Sequence, residues 1–122
     1  MEMDRLENKK IGIFGGTFDP VHYGHLLIAE KAREEFNLEF VIFIPCGIPP
    51  HKKKVFASAS ERKNMIEIAI KDNSFFKVSD VEILKNKVSY TYETVLYMKK
   101  IYPDFGIFSI IGEDSLYDIP NW

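Results

Sequence analysis

Residues 11–25 read IGIFGGTFDPVHYGH: an apolar run, a glycine pair, an Asp-Pro step and two histidines three apart, running directly into a helical pattern. That order spells strand, tight loop, helix. Ile11, Ile13 and Phe14 supply a buried strand, and Gly15 and Gly16 remove the Cβ atoms that would hold a ligand's oxygens away from backbone N–H groups. The helix begins under that ligand, so its unpaired N–H groups and the positive end of its dipole are predicted to face whatever sits over the loop. Such a position suits an anion, and a phosphate above all. His22 and His25 fall one turn apart on a shared face at the same end, and both rings can donate to phosphate oxygens.

Working outward, Leu26 to Phe36 places Leu26, Ala29, Ala32 or Arg33, and Phe36 on one helical stripe, with Asn37 closing the helix. Phe40 to Ile44, FVIFI, is apolar at every position, the mark of a strand covered on both faces and hence of a parallel sheet between helices. Strand, helix, strand in this spacing is a βαβ unit of right-handed sense. Pro45 to Ala57 forms a loop with Pro45, Gly47, Pro49 and Pro50, then His51, Lys52, Lys53 and Lys54. Such a loop leaves the second strand at the carboxyl edge of the sheet, beside the crevice where ligands of open α/β sheets bind.

Ser58-Ala59-Ser60-Glu61 is a capping box opening a helix whose buried face is predicted from Met65, Ile68 and Ala69. Arg62 and Lys63, in its first turn, read as exposed. Phe75 to Val78 and Val81 to Ile83 are short β-like pieces, and Leu84 to Lys87 is a turn. A helix capped by Ser89 or Thr91 runs on through Val95, Leu96 and Lys99 to Tyr102, where Pro103 stops it. Gly106 to Ile111 is a fourth strand, and Gly112-Glu113-Asp114-Ser115-Leu116 leaves it into a new helix start. The fold class is therefore α/β, a Rossmann-like doubly wound parallel sheet in which the first and fourth strands lie side by side.

Composition narrows the function. With 122 residues, 46% hydrophobic and 28% charged, and a formal net charge of −2, the chain has the makings of one soluble domain with its own core. That balance lacks the surplus of Lys and Arg that sequence-independent nucleic-acid binding needs. The single cysteine, Cys46, can form no internal disulfide and no cysteine-built metal site, and after an apolar strand it reads as packed. No apolar run approaches the roughly 20 residues that span a bilayer, and the polar start MEMDRLENKK is no signal peptide. A cytoplasmic protein is expected, without a membrane or nucleic-acid partner.

The stretch GGTFDPVHYGHL closely resembles the signature of the nucleotidyltransferase superfamily with an H-x-G-H motif, here His22-Tyr23-Gly24-His25, and within it nicotinate-nucleotide adenylyltransferase. Further matches reinforce this. PPHK at 49–52 resembles the family loop that reaches the mononucleotide phosphate; SYTYET at 89–94 resembles the motif at the nicotinate pocket; Gly112, Asp114, Leu116 and Trp122 fall on the family's GxDxLxxxxxW pattern. The resemblance implies transfer of AMP from ATP to nicotinate mononucleotide, in NAD biosynthesis, with Mg²⁺ carried on the triphosphate and no dedicated metal site in the protein. By resemblance, His22 and His25 are catalytic and contact the ATP phosphates, with Gly15, Gly16, Thr17, Phe18, Gly112 and Asp114 also on ATP. Gly16, Thr17, His51, Lys52, Tyr90, Thr91, Asp114 and Trp122 would bind the mononucleotide, Tyr90 and Thr91 beside the pyridine ring, Asp114 on a ribose and Trp122 against the ring face. Asp19 reads as a loop-organising residue, not a metal ligand.

The resemblance runs from Lys10 to Trp122, the amino-terminal part of a family member, so residues 1–122 are expected to hold a domain truncated after its fourth core strand. That strand would be left as an apolar edge, inviting homo-oligomers. Two other readings stand beside the first: another H-x-G-H enzyme, such as phosphopantetheine adenylyltransferase or a cytidylyltransferase, and a nucleotide-binding fragment without turnover.

Overall fold

The computed structural model describes residues 9–47, 56–85 and 91–110, the side chains of Lys85 and Thr91 excepted. Its centre is β1 (Lys10–Gly16). Helix α1 (Tyr23–Phe36) follows, then β2 (Val41–Pro45), α2 (Ala59–Ile70), β3 (Phe76–Val78), α3 (Val81–Lys85), α4 (Thr91–Ile101) and β4 (Gly106–Ile110). The strands form one sheet ordered β3-β2-β1-β4. All its pairs are parallel: Gly12 to Gly16 face Val41 to Pro45, Lys10 to Phe14 face Gly106 to Ile110, and Val41 to Phe43 face Phe76 to Val78.

Side-chain alternation along β1 and β2 builds two cores, one on each face. Phe14, Val41 and Phe43 pack with Ala29 of α1 and with Ile66 and Ile70 of α2. Ile11, Ile13, Ile42 and Ile44 pack on the other face with Val81 of α3 and Met98 of α4. Every residue of β2 is buried, as a strand covered on both sides requires. Helices α1 and α2 therefore lie on one face, and α3 and α4 on the other. β1 lies between a strand reached through α1 and one reached from α4 on the far face, and this opens a crevice at the carboxyl ends of β1 and β4.

Three local expectations are corrected. The glycine pair belongs to the strand, Gly15 facing Ile44 and Gly16 facing Pro45. Val81 to Ile83 is helical, because the Ser79 hydroxyl accepts the Val81 N–H (3.3 Å) and the Asp80 carbonyl accepts the Leu84 N–H (3.0 Å), so a serine cap overrides β propensity. On α2 the buried stripe is Arg62, Ile66 and Ile70, and Ile68 is 62% exposed. The capping box at Ser58 is present as read, with Glu61 Oε1 accepting the Ser58 N–H (2.9 Å) and Ser58 Oγ accepting the Glu61 N–H (3.1 Å). Asn37 closes α1 in the left-handed region, φ 55°. No described helix is long and apolar enough to cross a membrane.

Candidate active site

At the carboxyl end of β1 the glycines act through space and not through φ, since no described glycine has a positive φ. A Cβ on Gly15 would meet nothing closer than the Ile44 carbonyl oxygen at 3.9 Å. The volume a side chain would fill is thus left open where a ligand's oxygens would approach. The left-handed residue of this loop is Phe18, φ 52°, an uncommon conformation for a bulky side chain. It turns the ring inward to 3% exposure, edge-on to Phe14 (5.3 Å between centroids) and to His25 (4.9 Å). Phe18, placed on ATP by the resemblance, has its ring packed in the core.

The two histidines cap α1. His22 is the N-cap residue, in extended conformation, and its Nδ1 accepts the Gly24 N–H at 3.1 Å. His25, at the third helical position, returns the bond, its Nδ1 accepting the His22 N–H at 3.0 Å. This is a capping box made of two imidazoles. The rings stack with centroids 3.8 Å apart and planes 31° from parallel. Because Nδ1 of each ring is an acceptor, a neutral ring carries its proton on Nε2. Two of the terminal N–H groups are engaged within the terminus itself, the Gly24 N–H with His22 Nδ1 and the His25 N–H with the His22 carbonyl (3.0 Å). What the terminus presents is a pair of imidazoles whose tautomer and tilt are fixed by its own backbone.

The loop between β1 and α1 is tied to its neighbours. Asp19 accepts the backbone N–H groups of Phe56 (2.5 Å, Oδ2) and Ala57 (3.0 Å, Oδ1), so it organises the entry to α2, as expected. Cys46 N–H donates to the Gly16 carbonyl (2.9 Å), and its thiol, 8% exposed, lies 3.7 Å from Thr17 Oγ1. Arg62 was read as exposed and is 1% exposed, its guanidinium turned beneath the loop. A signal for it was available: Arg62, Ile66 and Ile70 stand four apart, and the row is apolar after its first member.

Of the remaining expected contacts, Thr91 is the first described residue of α4. His51, Lys52, Tyr90, Gly112, Asp114 and Trp122 lie outside the described residues. Two concavities, about 300 and 480 Å³, lie against α2 and include none of the glycines or histidines. Their charged residues pair with one another, Lys63 with Glu67 and Asp80. The glycine pair and the two histidines lie elsewhere, at the end of β1 and the start of α1.

The doubly wound sheet, with imidazoles held at the first helix terminus beside its switch point, defines a class: an α/β domain with the nucleotidyltransferase fold. The chain belongs to the cytidylyltransferase-like family, whose model matches residues 13–122. A relative from Desulfitobacterium hafniense named "Probable nicotinate-nucleotide adenylyltransferase" is 52% identical over 115 residues, 93% of this chain and 56% of the relative. One of the same name from Exiguobacterium sibiricum is 45% identical over 113 residues, 93% of this chain and 60% of the relative. Among solved structures, the nicotinic acid mononucleotide adenylyltransferase of Plasmodium falciparum complexed with NaAD matches with a TM-score of 0.76 at 25% identity, over 93% of this chain and 57% of that one. The chain thus spans a little over half the length of the relatives it matches.

Proposed function

We propose that the chain supplies the β1–α1 side of an adenylyltransferase site that transfers AMP from ATP to nicotinate mononucleotide. The observation that carries this is the imidazole pair, each Nδ1 bound to a backbone N–H of the helix terminus, so that each Nε2 is a donor for phosphate oxygens. The relatives' shared name supports this substrate over those of other H-x-G-H enzymes. A phosphate oxygen of the mononucleotide attacks the α-phosphorus of ATP; that P–O bond forms, the bond to the bridging α–β oxygen breaks, and pyrophosphate leaves with the electron pair. A phosphate monoester with a second pKa near 6 is already largely dianionic at neutral pH, so no general base is needed. What the protein must do is align two anions and stabilise charge on the transferring and leaving groups.

In this reading Gly15 and Gly16 let the phosphates approach the strand end, and His22 and His25 donate to the triphosphate. Mg²⁺ enters as the counter-ion of ATP, and Asp19, whose two oxygens accept backbone N–H groups, organises the loop. The lone cysteine supports a cytoplasmic setting.

The test is pyrophosphate release with ATP, Mg²⁺ and nicotinate mononucleotide. His22→Ala is expected to lower it roughly a hundredfold, about 3 kcal/mol, the loss typical of one preorganised donor. A wild-type chain that neither releases pyrophosphate nor binds the mononucleotide would overturn the proposal.

A further inference from the structure

Phe18 is held in a backbone conformation that a phenylalanine does not choose. Its φ of 52° lies in the left-handed region, which brings Cβ close to a carbonyl oxygen and is unfavourable for a bulky side chain. Turning over the Thr17–Phe18 peptide would return that φ to the ordinary negative range. It would also turn the Thr17 carbonyl away from Arg62, whose Nη1 donates to it at 2.8 Å. The same nitrogen donates to the Cys46 carbonyl at 2.8 Å, and Nε donates to the Ala57 carbonyl at 3.1 Å. A guanidinium that is 1% exposed must keep its donors engaged, because a bond left unmade there costs the desolvation of the group. Arg62 therefore opposes the one rotation that would relax Phe18.

The strained conformation delivers a ring to a particular place. Gly16 leaves room for it: a Cβ there would meet Phe18 Cζ at 3.4 Å and Cε2 at 3.5 Å. The ring packs on Phe14 and Phe43, with centroids 5.3 and 5.7 Å away. It also meets His25 at 4.9 Å, the planes 73° apart, and Phe14 meets the same imidazole more distantly, at 6.0 Å. His25 in turn stacks on His22 at 3.8 Å. The cap bond holds His25 at Nδ1, and a ring held there still rocks about that bond unless something packs against it. A phenylalanine wedged among buried rings does not yield, so it stops the rocking.

We infer that Phe18 is a positioning residue for the imidazole pair: its ring steadies His25, and Arg62 steadies Phe18 by holding the peptide before it. That the positioned Nε2 atoms serve phosphoryl transfer rests on the proposed function. Glycine would relieve the backbone at this position and abandon the ring, which is why the left-handed residue of the loop is aromatic.

The experiment compares Phe18→Leu, Arg62→Lys and Phe76→Leu with the wild type in the full chain. It reads the ¹⁵N shifts of the histidine rings, which report tautomer, together with pyrophosphate release. Wild-type His25 should show one tautomer, its proton on Nε2. Phe18→Leu keeps an apolar side chain and loses the flat ring. The freed imidazole should break its Nδ1 bond part of the time, His25 should show mixed tautomers, and kcat should fall about tenfold with both KM values unchanged, the pattern of a donor misplaced in the transition state. Arg62→Lys, whose single ammonium cannot span the same carbonyls, should shift the same His25 nitrogens. Phe76 packs on Phe43 in the same core cluster, so Phe76→Leu should lower the unfolding midpoint and leave the His25 shifts and kcat in place. Wild-type His25 shifts in Phe18→Leu or in Arg62→Lys overturn the inference, as do mixed tautomers in the wild type or equal shifts in Phe76→Leu. Should Phe18→Leu or Arg62→Lys fail to fold, the other decides by the same criterion. A wild-type chain that neither releases pyrophosphate nor binds the mononucleotide overturns the proposed function, and the ring shifts still decide whether Phe18 and Arg62 position the imidazoles.

Discussion

Gly24→Ala separates the stability of α1 from the placement of its donors. Gly24 is the second residue of α1, with ordinary helical φ, so alanine there is favoured by propensity, by up to about 1 kcal/mol. The added Cβ would stand 2.9 Å from His22 Cε1 and 3.1 Å from Nδ1, closer than carbon atoms sit in native packing. The ring must therefore swing away, breaking the Nδ1 bond to the Gly24 N–H and the 3.8 Å stack on His25. An N-cap is worth about 1 kcal/mol. The two stability terms oppose each other at similar size, and unfolding in urea should give a midpoint close to the wild type. The donor is another matter, because a displaced His22 gives up its share of transition-state stabilisation. Pyrophosphate release should fall by roughly the hundredfold expected for His22→Ala, about 3 kcal/mol. The assay pairs urea unfolding with pyrophosphate release and the ¹⁵N shifts of the His22 ring. A Gly24→Ala chain with wild-type activity and wild-type ring shifts would refute the reasoning, since the ring would then tolerate the Cβ where it stands.

Gly47→Ala should be destabilised by about 2 kcal/mol or more, because its Cβ would lie 2.7 Å from the Glu82 carbonyl oxygen and 3.3 Å from Ile83 Cα, backbone that cannot rotate aside; thermal unfolding measures it. Ser58→Ala should cost α2 about 1 kcal/mol through its cap. Bonds from Ser58 hold the Glu61 carboxyl below the usual glutamate range. A depressed pKa stabilises the folded chain above the ordinary glutamate value, and that stability is lost as pH falls through the lowered one. The difference between wild type and Ser58→Ala should therefore narrow in acid, which urea titrations at several pH values would detect.

The fold was legible because its signals are periodic. Ile11 and Ile13 are apolar on one face and Phe14 on the other, and FVIFI has no polar position, so the sequence pattern alone places β1 and β2 inside a sheet covered on both faces. Ser58 and Glu61 announce a helix start through local hydrogen bonds, and Asn37 a helix end through its left-handed backbone. The misreadings arise where a hydrogen-bond partner, distant or local, overrides the preference read from the residues themselves. Arg62 looks like a surface cation until carbonyls from residues as distant as Thr17 are brought to it. Val81 to Ile83 look like a strand until Ser79 caps them. At the site, the motif identified His22 and His25 as donors on one face. It did not disclose that their other nitrogens build the helix cap, because an imidazole is a rare substitute for the short oxygen side chains that usually cap.

That double duty explains the spacing H-x-G-H in physical terms. A capping box needs an acceptor at the N-cap and another at the third helical position, which places the histidines three apart. An imidazole is bulkier than a serine or aspartate side chain, and curling back to the N–H of the second helical residue brings its ring over that residue's Cα; only glycine leaves the room. The first helical position has no such duty, and Tyr23 there is 76% exposed. Capping uses Nδ1, and donation uses Nε2. The nitrogens lie on opposite sides of a rigid ring, so the bond that stabilises the helix is the one that aims the donor. Substitution of His22 by asparagine, which caps equally well, would keep α1 and lose the Nε2 donor.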